Sequence, residues 1–173
     1  PGRDFIFQIY MITLMIPGQV TMIPLFVIMK NLGLLNTKTA LIIPMIGAFS
    51  VFLVKQFVNG VPDELIESAK VDGCPEYRIF IQIVMPLLQP VMITLIVFTF
   101  ISSWNDFLWP LIAATETETY TLTVALSVLK TQYQVNYGLI MAGSTITFIF
   151  PFILYVFLQK QFVQGIALGG VKG

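Results

Sequence analysis

Long apolar stretches with few charged residues are the feature that most restricts how this chain can fold. Hydrophobic residues make up 57% of the 173 residues and charged residues only 10%, whereas a soluble domain typically carries about 25% charged residues. Nine basic and nine acidic side chains would cover the surface of a water-soluble protein of this length poorly. The composition therefore predicts an integral membrane protein in contact with lipid.

Four segments are long and apolar enough, or nearly so, to cross a bilayer, which takes about 20 residues at a rise of about 1.5 Å each. They are residues 5–29, 40–54, 87–112 and 137–158. Interruptions in these segments fall at Pro17-Gly18, Pro24, Pro44, Gly47, Trp104-Asn105-Asp106 and Pro151. Prolines free backbone groups that neighbouring helices or cavity water must satisfy. The sequence thus predicts an all-α, polytopic membrane bundle with broken helices, forming a single domain over residues 1–173.

The basic residues predict how these segments are oriented. With the N-terminus in the cytoplasm, six basic residues lie inside and three outside, as the positive-inside rule favours. The inside set is Arg3, Lys55, Lys70, Arg78, Lys160 and Lys172, and the outside set is Lys30, Lys38 and Lys130. Two polar connectors, residues 31–39 and 115–136, then face the outside.

Several function classes conflict with the composition. The chain has no histidine and a single cysteine, Cys74, so a cysteine cluster for a metal and a serine–histidine pair are both excluded. Ser144 therefore has no partner for an intramembrane protease, and Asp106 is the single aspartate at a plausible membrane depth. The net charge of zero does not indicate a basic surface that would bind nucleic acid. We expect no catalytic residue and no metal site.

Charge is concentrated in one stretch between the second and third apolar segments. Eight of the charged residues lie between Lys55 and Arg78. Pro62, followed by Asp63 and Glu64, is typical of a helix start. Gly73 is typical of a helix end, and a second helix is expected after it. We predict a helix, a glycine turn and a second helix on the cytoplasmic surface, with Pro86 marking the return to the membrane. Composition alone is equally compatible with a solvated loop that has no partner.

The spacing within this stretch resembles the EAA loop of binding-protein-dependent ABC importer permeases. Glu67-Ser68-Ala69 is followed after three residues by Gly73, and after nine more by Ile83, then Met85-Pro86. Ser68 and Met85 replace the usual alanine and leucine. Further segments resemble the carbohydrate-uptake branch, and specifically its smaller maltose-type permease subunit: residues 16–20, 32–37, 103–107 and 169–173.

The resemblance implies a type I importer permease whose loop, residues 56–86, docks on a separate cytoplasmic ATPase. It implies that this ATPase binds the ATP, so that no cofactor is expected here. Indeed, the glycine-rich end after Gly165 lacks the spacing of a P-loop. The resemblance also implies a second permease subunit, an extracytoplasmic solute-binding protein and a location in the bacterial inner membrane. Such subunits usually have six spanning helices, and Pro1 is not an initiator methionine, so we expect two preceding helices. The expected coupling residues are Glu67, Ser68, Ala69, Asp72, Gly73, Ile83 and Pro86.

The resemblance to the carbohydrate-uptake branch implies that the transported solute is a neutral sugar, and the spanning segments agree with this, since they offer uncharged amides, hydroxyls and aromatic rings. Glycerol phosphate is the alternative within this class, and a scaffold or an uncoupled channel is the alternative outside it. Candidate pathway-lining residues are Trp104, Asn105, Asp106 and Ser144. For Asp106, however, we favour a place at the outer interface, between Trp104 and Trp109 in an aromatic belt.

Overall fold

Helices are the only regular elements in the part of the chain that the structure describes. The computed structural model describes the backbone of residues 2–132 and 137–170, and the side chains of residues 2–129, 137–157 and 159. The α-helices are α1 (Arg3–Thr13), α2 (Gly18–Asn31), α3 (Lys38–Ile42), α4 (Ala48–Val58), α5 (Asp63–Val71), α6 (Glu76–Ile79), α7 (Met85–Leu87), α8 (Gln89–Asn105), α9 (Leu108–Ala113), α10 (Leu122–Gln132) and α11 (Tyr137–Gly170). Short 3-10 helices cover Ile43–Met45 and Thr117–Thr119, and a π-helical turn covers Phe80–Val84. The all-α prediction is confirmed.

One stretch is by itself long and apolar enough to cross a membrane. It is Tyr137–Phe157, with 21 residues and a mean hydropathy of 2.0. Three pairs of helices meet the same condition only when both members of a bent pair count as one span, which gives up to four spans in the described residues. The pairs are Arg3–Thr13 with Gly18–Asn31, Lys38–Met45 with Ala48–Val58, and Glu76–Leu87 with Gln89–Asn105.

The contacts divide the chain into two compact units, each with a small buried core. The first unit comprises Pro1–Gly47 and Thr99–Leu158. Its core contains Met29, Ala40, Trp109 and Ala113, so that α2, α3 and α9 pack together. The second unit comprises Ala48–Phe98 and Gln159–Gly173. In it, Val84, Leu88 and Val91 form a buried stripe against Leu53, Val54 and Phe57 of α4.

In the first unit, both tryptophans donate to a backbone carbonyl that a proline leaves without its helical partner. Pro44 has no N–H to offer the carbonyl of Ala40 four residues earlier, and the Trp109 Nε1–H donates to that carbonyl at 2.9 Å. Pro151 has the same effect on the carbonyl of Thr147, and the Trp104 Nε1–H donates there at 2.9 Å. Trp109 is only 6% exposed. The prediction that it belongs to an aromatic belt is therefore wrong, since its indole packs inside a core.

Asn36 joins the two connectors that the sequence predicts to face outside. It has a left-handed backbone, with φ of 59°, a conformation that asparagine adopts more readily than most residues. Its backbone N–H donates to the carbonyl of Ala113 at 2.9 Å. Its Oδ1 accepts from the backbone N–H groups of Thr115 and Glu116 at 2.6 and 3.3 Å, and its Nδ2 donates to Glu116 Oε1 at 3.1 Å. One side chain thus fixes the start of α3 beside the end of α9.

The helix boundaries differ from the predicted segments in two places. The connector 115–136 is not simply a polar loop, because residues 122–132 within it form α10. Apolar side chains at positions 122, 126 and 129 give this segment one apolar face despite its threonines. The start of the stretch 87–112 differs as well, because the helical run before α8 continues through Pro86. The predicted interruption at Trp104-Asn105-Asp106 is confirmed, since α8 ends at Asn105 and α9 begins at Leu108.

The predicted break at Pro17-Gly18 is confirmed, because α1 and α2 meet there at an angle of 104°. Pro24 lies inside α2 and does not end it. Some residues named in the sequence predictions lie outside the described part of the structure. They are residues 171–173, which end the motif 169–173 and include Lys172, and the side chains of Lys130 and Lys160.

The indole–carbonyl bonds predict a compensating pair of substitutions. Trp104→Phe keeps an aromatic ring but removes the donor to Thr147, and should lower the free energy of unfolding by about 1–2 kcal/mol. Pro151→Ala restores an N–H in α11 that can serve the same carbonyl. Trp104→Phe should therefore cost less in the Pro151→Ala background, as measured by thermal unfolding in detergent. The control is Trp109→Phe with Pro151→Ala, where the two effects should add. Additive effects in the Trp104 pair would contradict this account.

Asn36 gives a second test in the same assay. Asn36→Asp keeps the acceptor but places a carboxylate against Glu116, which should destabilise the protein by about 1 kcal/mol. Adding Glu116→Gln restores a donor to this oxygen and should recover most of the loss. If Asn36→Asp alone is as stable as the wild type, the bond to Glu116 has no role in joining the connectors.

Candidate functional site

The charged stretch of the second unit forms the predicted pair of helices. Pro62 precedes α5 with an extended ψ of 129°, and Asp63 and Glu64 occupy the first turn, where carboxylates complement the helix dipole. Pro75 precedes α6 in the same way, with a ψ of 149° and Glu76 in the first turn. Each proline occupies the N-cap, directly before the first turn, where a backbone N–H would have no partner within the helix.

Gly73 ends α5 in a Schellman motif. Its φ is +74°, and its N–H donates to the carbonyl of Lys70 at 3.0 Å while the Cys74 N–H donates to that of Ala69 at 3.0 Å. A Cβ built at Gly73 would meet nothing within 4 Å. Glycine is therefore required here by the left-handed backbone and not by crowding within this chain.

A π-helical turn lies between this helix pair and the apolar helix α8. Ile83 lies in that turn, and the Met85 N–H donates to the carbonyl of Phe80, five residues earlier. Pro86 follows directly in α7, before a bend of 66° that leads into α8. Isolated π turns inside helices are frequent at functional sites. The predicted exit residues Ile83 and Pro86 thus lie at the irregular part of this helical run.

The helix pair presents a mixed surface to solvent. Glu67, Ser68 and Asp72 are exposed, beside apolar side chains that include Val71, 87% exposed, and Tyr77, 65% exposed. Ala69 is only 6% exposed. This expected coupling residue therefore contributes little to the exposed surface of the helix pair.

Ser68, which stands where the resembling family usually has alanine, disturbs α5 little. Its hydroxyl donates to the carbonyl of Leu65 at 3.2 Å, within the same helix. A serine hydroxyl bonded in this way adds no unpaired polar group to the surface.

A groove of about 310 Å³ lies in the first unit, between the end of α8, α10 and α11. Four of the lining residues follow helical spacing along one face of α11, at positions 144, 147, 148 and 151. The full lining set is Asn105, Leu126, Ser144, Thr147, Phe148 and Pro151. Helix α10 approaches α11 closely, because a Cβ at Gly143 would overlap the side chain of Leu126.

The structure brings together two of the four candidate pathway residues. Asn105 and Ser144 line the groove, although 39 residues separate them in the sequence. Trp104 does not line it; its indole stacks on Phe100 and makes a tilted contact with Phe150, at centroid distances of 5.5 Å each. Asp106 does not line the groove. It is half-buried, and its backbone carbonyl accepts from the Thr123 hydroxyl at 3.0 Å.

Sequence analysis did not identify Leu126 and Phe148 as lining residues. Leu126 belongs to α10, which was predicted to be a connector. The helical spacing of the residues on α11 was the signal that could have identified Phe148 beside Ser144. No group of three or more acidic or cysteine side chains that could hold a metal is found in the described residues.

Comparison with known proteins agrees with this architecture. Residues 1–168 match the family described as binding-protein-dependent transport system inner membrane component. The chain is 43% identical, over 99% of its length, to the arabinooligosaccharides transport system permease protein AraQ of Halalkalibacterium halodurans. It is 39% identical, over 98%, to the lactose transport system permease protein LacG of Rhizobium radiobacter. It is 34% identical, over 96%, to the sn-glycerol-3-phosphate transport system permease protein UgpE of Shigella flexneri.

The chain spans 62% of the length of the first two relatives and 60% of the third. All three names describe transport permeases and not enzymes. The family match covers nearly all of this chain and agrees with its apolar, bent helices. The chain therefore belongs to the family of binding-protein-dependent transport system inner membrane components.

Proposed function

We propose that this chain is part of the permease subunit of an ATP-driven importer of carbohydrate in a bacterial inner membrane. The observation that carries the proposal is the similarity, over nearly the whole chain, to permeases named for arabinooligosaccharides and for lactose. The apolar helices would form the pathway through the membrane. The chain itself would carry out no catalysis.

A separate ATPase would supply the energy and bind the ATP, so that this subunit needs no cofactor. The α5–Gly73–α6 helix pair is the surface suited to dock on it. Its exposed carboxylates at Glu67 and Asp72 can pair with basic residues, and the exposed apolar side chains beside them can enter a groove of the partner. Ala69 would not contact the ATPase directly, since its small side chain is buried. Rigid-body motion of the ATPase would reach α8 through the π turn and the bend after Pro86.

Two further partners complete the proposed transporter. A second permease subunit would provide the other half of the pathway, and an external solute-binding protein would deliver the sugar. The family description, which refers to binding-protein-dependent transport, supports the solute-binding protein.

Glycerol phosphate is the second candidate solute. It is supported by the 34% identity to a glycerol-3-phosphate permease, a lower identity than those to the two saccharide permeases. The permease assignment is independent of which solute is transported.

The test of coupling uses the full-length permease assembled with its partners. Gly73→Leu places a branched side chain at a left-handed position, which costs about 1–2 kcal/mol and should distort the end of α5. ATP-driven uptake of labelled arabinooligosaccharide or lactose should fall sharply, and the ATPase should co-purify poorly. The amount of permease in the membrane should remain unchanged by immunoblot.

The matched control is Gly73→Asn, because asparagine tolerates positive φ better than other side chains. It should retain most of the uptake. Wild-type uptake with Gly73→Leu would show that the geometry of this turn does not matter for coupling. Wild-type uptake of glycerol phosphate alone would refute the carbohydrate assignment and leave the permease assignment in place.

A further inference from the structure

The groove on α11 offers a small set of polar atoms whose directions are fixed by bonds within the protein. The Asn105 Nδ2 donates to the carbonyl of Ile101 at 2.8 Å. This bond orients the amide and leaves Oδ1 as an acceptor. The hydroxyl of Ser144 is exposed and has no hydrogen-bond partner among the described residues, so it can both donate and accept.

The hydroxyl and the carbonyl of Thr147, by contrast, already form hydrogen bonds within the protein. Its hydroxyl donates to the carbonyl of Gly143 at 2.9 Å, and its own carbonyl accepts from Trp104. The groove therefore presents one oriented acceptor and one hydroxyl, which together can bind the hydroxyl groups of a ligand.

The remaining lining is uncharged and partly aromatic. None of the six described side chains that line the groove carries a charge. Phe148 stacks on Phe152 at a centroid distance of 5.5 Å, yet remains 66% exposed. An exposed aromatic ring can cover the apolar C–H face of a pyranose. A phosphate ester would instead need a basic side chain or several backbone N–H donors, and the lining supplies neither.

The size and position of the groove also fit a small polar ligand. A volume of about 310 Å³ lies at the lower end of the range of small-molecule sites, about 300–1,000 Å³. Ser144 lies seven positions after Tyr137, which is about 10 Å along the helix at about 1.5 Å per residue. In the predicted orientation this places Ser144 in the outer half of the membrane, and the groove extends from there across the midplane to Pro151.

We propose that this groove is a neutral-saccharide subsite within the permease, with Asn105 and Ser144 binding sugar hydroxyls and Phe148 covering a ring face. This inference rests on the proposed carbohydrate import and makes it more specific. It assigns to this subunit a direct contact with the solute, and it excludes an anionic solute from this position.

The test uses the full transporter in proteoliposomes with its binding protein, in a Cys74→Ser background. Ser144→Cys introduces a thiol in the groove, and its rate of alkylation by a charged maleimide is measured with and without solute. The solutes are arabinooligosaccharide, lactose and sn-glycerol-3-phosphate. When the concentration of solute is ten times its dissociation constant, about one site in eleven remains empty. The transported saccharide should therefore slow alkylation about tenfold. Glycerol phosphate should have no effect.

The control variant is Ile146→Cys, which is exposed on the same helix and does not line the groove. Its alkylation should not respond to any of the solutes. In the same transporter, Asn105→Ala should raise the KM for the saccharide about three- to tenfold while kcat changes little, because a hydrogen bond to bound solute is lost.

Each of three other outcomes would contradict the proposal of a saccharide subsite. If the saccharide is transported but neither protects the thiol nor shows an altered KM with Asn105→Ala, the subsite is wrong and the proposed function stands. If the thiol is unreactive in the assembled transporter with or without solute, a neighbouring helix or lipid fills the groove. If only glycerol phosphate is transported, both the subsite and the carbohydrate assignment fail.

Discussion

An unpaired backbone carbonyl is costly in an apolar environment, and this constraint explains where the two tryptophans lie. The chain contains ten prolines, several of them inside apolar helices. Pro44 and Pro151 each leave the carbonyl four residues earlier without a helical donor. In both cases an indole N–H from elsewhere in the same unit supplies the missing hydrogen bond. The breaks in the helices and the packing that surrounds them therefore depend on one another.

These bonds also position the groove. The Trp104 indole holds α11 at Thr147, one turn before Pro151, and the next residue of α8, Asn105, lines the groove with Ser144. Bent helices with polar groups at the bend are common where membrane proteins form solute pathways. In this protein Pro151, which lies inside α11, is itself a lining residue.

Sequence patterns predicted the α5–Gly73–α6 helix pair well, because its signals are local. Proline before the first turn, acidic residues within it and glycine after the last turn each act through neighbouring backbone groups. The tryptophan contacts could be predicted only in part. The prolines identify Ala40 and Thr147 as the carbonyls that lose a partner, but the donors lie 69 and 43 residues away. Helix α10 was missed because its many polar residues concealed the apolar spacing at 122, 126 and 129.

In the proposed function, the exposed helix pair docks on a partner that supplies the energy, and the apolar helices form the pathway through the membrane. That account requires the helix pair to face the cytoplasm, and Cys74, the single thiol in this chain, lies directly after Gly73. The most direct measurement uses a full-length protein with no other cysteine and a membrane-impermeant maleimide. The reagent should label Cys74 in inverted vesicles, and adding the ATPase should slow the labelling. It should not label Cys74 in intact cells whose outer barrier has been permeabilised. Labelling from the outside would contradict the orientation and the coupling role together.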